Sequence, residues 1–310
     1  MNGWLYDLIT GGLPLIEQIQ HFRTPFLDGF FKAATFLGEA DFFMLLVPLF
    51  FWLIDKRFGR NLAYLLVFSA VLFSGIKNVL KMPRPPASLH LIEQSGYGFP
   101  SGHATNAVSL WGYVGVVWHK LGRWVWPLLL GVMVAEAFSR LYLGVHYPLD
   151  TVGGLILGGV VLFLWTRWES RLAQWAGGLS LGQVVGGSTV LALAVLLLVP
   201  GDGSYPAQDA ATLGGLLLGA NVGFYMEAHR VRFATAGSWK QLAGRLILGV
   251  VALMVVREGM AFVYGVVLPD YESMVWVERI LRFVRYAMVG LTLSWWVPVL
   301  FVRLGLATKE

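Results

Sequence analysis

The chain has 310 residues, of which 57% are hydrophobic and 13% are charged, with a formal net charge of +5. Because a soluble domain usually carries about 25% charged residues, this composition is typical of a membrane protein. The basic residues lie in short loops between apolar stretches and form no clustered basic face, which argues against nucleic acid as a partner. The absence of cysteine excludes disulfides and thiolate metal sites.

The first region, residues 1 to 40, holds apolar and aromatic side chains at roughly helical spacing. Glycine and proline interrupt it at Gly11, Gly12, Pro14 and Pro25. The pattern predicts amphipathic helices that lie on the bilayer surface, although an ordinary pair of packed helices fits it equally well. No basic segment followed by an apolar stretch opens the region, so a cleaved signal peptide is not expected.

Nine apolar stretches follow, and the first five are near the roughly fifteen to twenty residues that a bilayer requires. The first of them is short and could extend backwards past Glu39 and Asp41. The nine stretches run from 42 to 54, 62 to 80, 104 to 119, 124 to 142, 148 to 166, 182 to 199, 211 to 228, 241 to 267 and 275 to 302. The pattern therefore predicts an all-α, polytopic transmembrane bundle. Its regions are N-terminal interfacial helices at 1–40, a transmembrane core at 41–170 and a C-terminal transmembrane extension at 171–310.

The loops on the two sides of this bundle differ in charge. One set of loops is basic, with Lys56, Arg57, Arg60, Lys120, Arg123, Arg167, Arg171, Arg230, Arg232, Lys240, Arg303 and Lys309. The positive-inside bias places these loops and the C-terminus in the cytoplasm. Two of the opposite loops contain no basic residue and hold Asp202, Asp209, Asp270 and Glu272.

Three polar clusters map to the side of the acidic loops. They are Lys77, Arg84 and Pro85; then Pro100, Ser101, Gly102 and His103; then Ser139, Arg140, His146 and Asp150. The basic members of these clusters break the charge bias of that side. A role in binding an anion would explain why they are there.

The three cations can all donate to phosphate oxygens. Arg84 and Arg140 offer planar forks that match phosphate geometry, whereas Lys77 supplies a compact charge. If they converge, they can stabilise the charge on a reacting phosphorus atom without a metal ion. The alternative for each one alone is that it extends to the headgroup region of the bilayer, and the two interpretations are equally supported.

The two histidines have neighbours that suit catalysis. Ser101 is placed to cap the following helix, and Gly102 lets the backbone approach an anion. His103 in the first turn could protonate a leaving alkoxide. Asp150 could hold one ring nitrogen of His146 and leave the other free to attack. The structural alternatives are a simple helix cap and a buried His–Asp pair without catalytic function.

Two ion pairs are predicted outside the clusters. Glu136 lies one turn before Arg140 on the same helix face, so we expect it to pair with Arg140 in a supporting role. In the C-terminal region, we expect Arg282 or Arg285 to meet Glu258 between two helices. The alternative there is a second site for lipid headgroups.

The clusters together read Lys-x6-Arg-Pro, Pro-Ser-Gly-His and Ser-Arg-x5-His-x3-Asp. This pattern resembles the complete signature of the type 2 phosphatidic acid phosphatase superfamily. The stretch from Phe42 to Arg60 and the extra C-terminal helices are similar to sphingosine-phosphate phosphatases and their bacterial relatives. Those eukaryotic enzymes usually carry Thr where this chain has Gly102.

The resemblance implies a six-helix core of this kind plus the C-terminal extension. It also implies a phosphohistidine mechanism in which His146 is the nucleophile, Asp150 orients it and His103 is the general acid. The groups implied to hold the phosphoryl oxygens are Lys77, Arg84, Ser101, Gly102 and Arg140. No metal or cofactor is expected, and Glu136 is expected to support the site without touching the substrate.

The expected function is hydrolysis of a lipid phosphate within the membrane. Candidate substrates are a prenyl diphosphate, phosphatidic acid, phosphatidylglycerophosphate and a sphingoid phosphate, and the signature does not choose among them or define an oligomeric state. The expected location is a bacterial inner membrane, with the active site facing the extracytoplasmic side. An alternative is a lipid-phosphate translocase that uses the same anion site. A haloperoxidase would need vanadate in the site, and the apolar composition disfavours it.

Overall fold

A computed structural model describes residues 3–198 and 208–310 of the chain. Asp202 and the side chain of Asp209, which entered the orientation argument, lie outside the described residues. Within those ranges the backbone is helical with no β-strand, which confirms the all-α class. The α-helices are α1 (Gly3–Thr10), α2 (Leu13–Gln20), α3 (Pro25–Phe36), α4 (Ala40–Leu49), α5 (Lys56–Leu80), α6 (Gly102–Asn106), α7 (Gly112–Trp118), α8 (Val125–Tyr142), α9 (Pro148–Gly177), α10 (Leu181–Leu198), α11 (Gln208–Met226), α12 (Trp239–Val267), α13 (Val275–Leu291) and α14 (Val297–Arg303).

Wider helical turns interrupt several of these helices. The described π-helical segments are Phe50–Ile54, Ala107–Trp111, Glu227–Val231 and Thr292–Trp296. Segments of this kind often occur at functional sites. The second of them joins α6 to α7, so it directly follows the short helix that carries His103.

Five described helical segments are long and apolar enough to cross a membrane: α5, α8, α9, α12 and the combined segment Val275–Arg303. A sixth span would combine α3 with residues 41–54, which meet at a bend of 54°. The described helices therefore support fewer spans than the nine predicted. One reason is that the π-helical turn divides residues 102–118 into short pieces, and Leu181–Leu197 is a shorter apolar helix.

The chain forms two compact units. The first unit comprises Met1–Phe43 and Phe68–Ser170, and the second comprises Met44–Val67 and Arg171–Glu310. Helix α5 therefore contributes its first half to the second unit and its second half to the first. The boundaries at residues 40 and 170 that the sequence suggested stay a prediction.

In the first unit, the N-terminal helices have one buried face. Ile9 of α1 and Ile16 of α2 are fully buried and cluster with Met82 and Tyr147. The opposite face of α1 exposes aromatic and aliphatic side chains such as Trp4. The helices are thus amphipathic, and their location on the bilayer surface stays a prediction.

Two glycines of α9 bring the second cluster against the third. A Cβ on Gly154 would lie 2.5 Å from the Ser101 carbonyl oxygen, and one on Gly158 would lie 2.5 Å from that of Thr105. Since these glycines are one helical turn apart, the α6 backbone packs directly along α9. The Ser101 N–H also donates to the Asp150 carbonyl oxygen at 2.9 Å. The start of α6 is therefore fixed to the start of α9.

The second unit has its own core, in which aromatic rings meet edge to face. Trp52 contacts Phe301 in this geometry, and both are buried. Arg245 is also fully buried and donates to backbone carbonyl oxygens of Trp52, Thr235, Ala236 and Leu306. A buried guanidinium is tolerated here because carbonyl oxygens accept its hydrogen bonds.

The ion pair predicted between the C-terminal helices is wrong. Within the described residues, Arg282 pairs with Glu278 one turn away on α13, and Arg257 pairs with its neighbour Glu258 on α12. Each carboxylate is therefore paired with an arginine of its own helix, and the pair of Glu278 with Arg282 has the i,i+4 spacing that brings side chains together on a helix. Arg285 instead lies over the ring of Tyr286.

Candidate active site

The site is built at three places of the first unit: the end of α5 with the loop that follows, the start of α6, and the turn between α8 and α9. That last turn is tight. Gly144 has φ +71°, and a Cβ there would overlap the carbonyl oxygen of Leu89. The N–H groups of Val145 and His146 both donate to the Arg140 carbonyl oxygen, at 3.1 and 3.3 Å. The turn therefore folds His146 back beside the end of α8.

His146 is buried and contacts a carboxylate on one side and a guanidinium on the other. Its Nδ1 lies 3.2 Å from Asp150 Oδ2, and its Nε2 lies 2.9 Å from a terminal nitrogen of Arg84. The Tyr147 N–H donates to the same carboxylate oxygen at 2.9 Å. Asp150 therefore has the position needed to hold the proton on Nδ1, which leaves the Nε2 lone pair facing Arg84.

Cations surround this imidazole. The pKa of His146 lies well below its usual range. Burial is the largest cause, followed by the positive charges of Arg84, Lys77 and Arg140. The ring is therefore neutral at neutral pH, as a nucleophile must be. Of the three predicted cations, Arg84 contacts the ring directly.

Arg84 and Lys77 also organise the loop between α5 and α6. Arg84 Nε donates to the carbonyl oxygens of Gly96 at 2.7 Å and Ser95 at 3.1 Å. Lys77 Nζ donates to the Gly98 carbonyl oxygen at 3.0 Å. A Cβ on Gly98 would come within 2.7 Å of Asp150 Oδ2, so the loop backbone lies directly against the carboxylate.

The second histidine occupies the start of α6. The Ser101 hydroxyl accepts from the Ala104 N–H at 3.4 Å, which confirms the predicted cap. Gly102 follows, and a Cβ there would meet the Phe73 ring at 3.0 Å. His103 Nε2 lies 3.3 Å from Glu39 Oε1, a carboxylate that the sequence patterns did not single out.

Arg140 is fully buried at the end of α8. One terminal nitrogen donates to the Thr35 hydroxyl, and the other donates to Gln94 Oε1 at 2.6 Å. Its Nε is buried and has no hydrogen-bond partner among the described residues. Neither contact residue belongs to a cluster, and Thr35 offers no sequence signal at all.

The ion pair predicted between Glu136 and Arg140 is wrong. Helical spacing puts both on one face of α8, but Glu136 Oε2 accepts from the Trp111 Nε1–H at 3.0 Å. Arg140 extends instead to Thr35 and Gln94. Glu136 Oε1 lies against the backbone of Gly38, and its supporting role stays a prediction.

Gly38 gives a test of how tightly this part of the site is packed. An alanine Cβ there would lie 2.5 Å from the His103 ring and would overlap the Glu136 carboxylate. We expect Gly38→Ala to lower kcat/KM by about tenfold or more, because small displacements of catalytic groups are costly. The overpacking should also cost about 1–3 kcal/mol of folding stability. Both effects are measurable by phosphate release and by thermal unfolding in detergent.

The matched control is Gly29→Ala in α3, where a Cβ would have no atom within 4 Å. Gly29→Ala should retain activity and gain up to about 1 kcal/mol from helix propensity. Equal rates and equal unfolding temperatures for the two variants would contradict the packing argument.

The arrangement is that of a group-transfer site for phosphoric esters. The buried imidazole has a carboxylate on one side and a guanidinium on the other, and it lies in a unit that contains helices apolar enough to cross a membrane. Residues 58–174 match the sequence model of the PAP2 superfamily, and residues 211–309 match that of the PAP2 superfamily phosphatase transmembrane extension. The chain therefore carries a PAP2 superfamily domain and the transmembrane extension of PAP2 phosphatases, which confirms the resemblance read from its motifs and the class of phosphoric ester hydrolases.

Individual relatives are similar over most of the chain. The lipid phosphate phosphatase delta of Arabidopsis thaliana is 27% identical, over 83% of this chain and 68% of its own. A probable sphingosine-1-phosphate phosphatase of Dictyostelium discoideum is 28% identical, over 72% of this chain and 58% of its own. The crystal structure of a transmembrane PAP2 type phosphatidylglycerolphosphate phosphatase from Bacillus subtilis matches with a TM-score of 0.47 and 23% identity, over 55% of this chain and 88% of that one.

Proposed function

We propose that the chain hydrolyses lipid phosphate esters through a phosphohistidine on His146. The observation that carries this proposal is the placement of the His146 ring between Asp150 on Nδ1 and Arg84 on Nε2. A carboxylate on one nitrogen and a phosphate-binding guanidinium beside the other is the arrangement that a nucleophilic imidazole needs. A purely structural His–Asp pair has no need of three surrounding cations.

In the first step, His146 Nε2 attacks phosphorus and the ester P–O bond breaks. Asp150 stabilises the charge that the imidazole gains. Arg84, Lys77 and Arg140 donate to the equatorial oxygens, where the developing negative charge is greatest. His103 gives its proton to the leaving alkoxide, which departs as an alcohol.

In the second step, water attacks the phosphohistidine and the P–N bond breaks. His103, now neutral, accepts the proton of that water and returns to its starting protonation state. His146 leaves as a neutral imidazole, and inorganic phosphate is released. Ser101 and the Gly102 N–H at the start of α6 would help to hold the phosphoryl group throughout.

The cations provide the charge stabilisation that a metal ion supplies in other phosphatases. We propose on this ground that hydrolysis is metal-independent and needs no cofactor.

A cavity of about 820 Å³ provides the approach to the site. It is lined by loop residues that include His90, Glu93 and Gln94, and Gln94 contacts Arg140 directly. Burial lowers the pKa of His90 from its ordinary value, so this mouth carries no extra positive charge from His90 at neutral pH. We propose that the phosphorylated headgroup of a membrane lipid enters here. From the charge bias of the loops, we propose that the site faces the extracytoplasmic side of a bacterial inner membrane and that the C-terminus is cytoplasmic.

The relatives support lipid phosphates as the substrate class, since two of them are named lipid phosphate or sphingosine-1-phosphate phosphatases. The test is phosphate release by the purified chain in detergent containing EDTA. Substrates are a prenyl diphosphate, phosphatidic acid, phosphatidylglycerophosphate and a sphingoid phosphate. We expect release from at least one of them at the same rate with EDTA and with added Mg²⁺.

The translocase alternative predicts a different result. Vesicles containing the chain would then move a labelled lipid phosphate between leaflets and release no phosphate. That outcome would contradict hydrolysis, and loss of activity in EDTA would contradict the metal-independent mechanism.

A further inference from the structure

Glu39 is a carboxylate at the edge of a site that is otherwise positively charged. It lies in the turn between α3 and α4, outside the three clusters and outside the matched range 58–174. Its Oε1 is 3.3 Å from His103 Nε2. The side chain of Glu39 is 43% exposed, whereas that of His103 is 15% exposed. The carboxylate therefore touches the acid and remains open to an incoming ligand.

The turn that carries Glu39 is fixed to the site on both sides. Thr35, at the end of α3, accepts a hydrogen bond from Arg140. The Gly38 N–H donates to the Thr35 carbonyl oxygen at 3.0 Å, and the Glu39 N–H donates to that of Phe36 at 3.1 Å. Gly38 itself has no room for a side chain beside His103. The backbone at Glu39 is thus held beside His103 by hydrogen bonds and by the packing of Gly38.

The contact atom distinguishes Glu39 from a simple orienting carboxylate. Asp150 bonds to Nδ1 of its histidine and leaves Nε2 free, whereas Glu39 bonds to Nε2 of His103. A leaving-group oxygen that takes the proton from Nε2 must come within hydrogen-bond reach of that atom. In a bound substrate this oxygen would lie next to the Glu39 carboxylate. The substituents on the first carbons of the leaving alcohol would lie there too.

A carboxylate at this place discriminates between substrates by charge. It repels the phosphate dianion of a lipid whose alcohol is uncharged, because nothing on that alcohol offsets the negative charge. It attracts a lipid whose alcohol carries an ammonium group on the carbon next to the ester carbon. In that lipid the phosphate would meet the cations and the ammonium would meet Glu39.

We propose that Glu39 is a specificity-determining residue that binds the ammonium group of an amino-alcohol phosphate lipid. The inference rests on the proposed function, since it concerns the alcohol side of the same phosphoester. It names the substrate class as phosphomonoesters of long-chain 2-amino alcohols. Lipid phosphates without an amine are the poorer substrates.

The test compares two substrates that differ in one group. Sphinganine 1-phosphate carries the 2-ammonium, and its 2-hydroxy analogue has the same chain and the same phosphate. The measurement is the ratio of kcat/KM for the amine to kcat/KM for the hydroxyl compound. We expect the wild type to prefer the amine and Glu39→Gln to lower the ratio about fivefold to tenfold, as expected for a partly desolvated ion pair.

Two further variants serve as controls. Glu17→Gln changes an exposed carboxylate on α2 and should leave both the rates and the ratio unchanged. Glu39→Asp keeps the charge and should retain part of the preference. Thermal unfolding of each variant in detergent tests whether a change in the kcat/KM ratio comes from loss of the folded structure.

The outcomes separate this inference from the proposed function. If the wild type hydrolyses both lipids with a ratio near one, or if Glu39→Gln slows both equally, the ammonium role is wrong while hydrolysis stands. An equal slowing would mean that Glu39 only positions or charges His103. If the wild type releases phosphate from neither lipid or any other lipid phosphate, both proposals are overturned.

Discussion

Replacing His146 with alanine is expected to lower kcat by about 10⁴-fold or more on every lipid phosphate that the wild type hydrolyses. The imidazole is the group placed to attack phosphorus, and alanine leaves no nucleophile between Asp150 and Arg84. The substrate should still bind, because Lys77 and Arg140 remain. The measurement is phosphate release in detergent, combined with a binding assay that uses inorganic phosphate as competitor.

A matched control and a second readout make this result specific. His119→Ala removes an exposed histidine that bonds only to the Val116 carbonyl oxygen of its own helix end, so we expect wild-type activity. Wild-type protein denatured by alkali during turnover of a ³²P-labelled lipid should carry a phosphoryl group that acid removes. The His146→Ala protein should carry none. Substantial activity or labelling of that variant would show that another residue is the nucleophile.

The positions of the helices could be predicted because apolar stretches of bilayer length leave the backbone little choice but helix. All nine stretches coincide with helical segments of the described chain, apart from the turn residue at 124 and position 199, which lies outside the described residues. Hydropathy did not predict how many of these helices are long enough to cross a membrane. Hydropathy does not show where a π-helical turn divides a helix, as at Ala107–Trp111, or where a bend separates α3 from the next helix. The two-unit organisation depends on contacts distant in sequence, and α5 is shared between the units.

The members of the three clusters could be identified because their spacing is tied to helix starts and one tight turn. Arg84, His146 and Asp150 are indeed in direct contact. Thr35 and Gln94, which contact Arg140, could not be identified because they lie far from it in the sequence and belong to no repeated spacing. Glu39 did offer a signal, namely a carboxylate in a short turn between apolar helices, with Asp41 two residues further along.

The two predicted ion pairs failed for opposite reasons, since Glu136 found its partner outside its own helix and Arg282 found its partner within it. Spacing along one helix says which side chains share a face, but not which partner from another helix reaches them first. Glu136 accepts from Trp111 instead of pairing with Arg140, while Arg282 finds Glu278 on its own helix and not Glu258. Buried charges take whatever partner completes their hydrogen bonds, and that choice depends on the packing.

The second large effect is expected for Asp150→Asn, which should lower kcat by about 10³- to 10⁴-fold with little change in fold. Asp150 Oδ2 accepts from both His146 Nδ1 and the Tyr147 N–H. An asparagine that keeps its oxygen at the Oδ2 position still accepts both hydrogen bonds, and its NH₂ group takes the place of Oδ1, which has no hydrogen-bond partner among the described residues. What it loses is the negative charge that stabilises the positive charge His146 gains when Nε2 attacks. The measurement is phosphate release, with the amount of phosphohistidine formed in the first turnover as the second readout.

Asp7→Asn is the matched control, because Asp7 is an exposed carboxylate on α1 and its loss should leave the rate unchanged. Asp150→Asn should also retain the unfolding temperature of the wild type to within a few degrees, since the amide is isosteric with the carboxylate. If Asp150→Asn instead stays within tenfold of the wild-type rate, the reactivity of His146 does not depend on the charge of this carboxylate. Asp150 would then only hold the His146 ring and the Tyr147 N–H, and the sequence spacing of His146 and Asp150 would reflect helix capping and not catalysis.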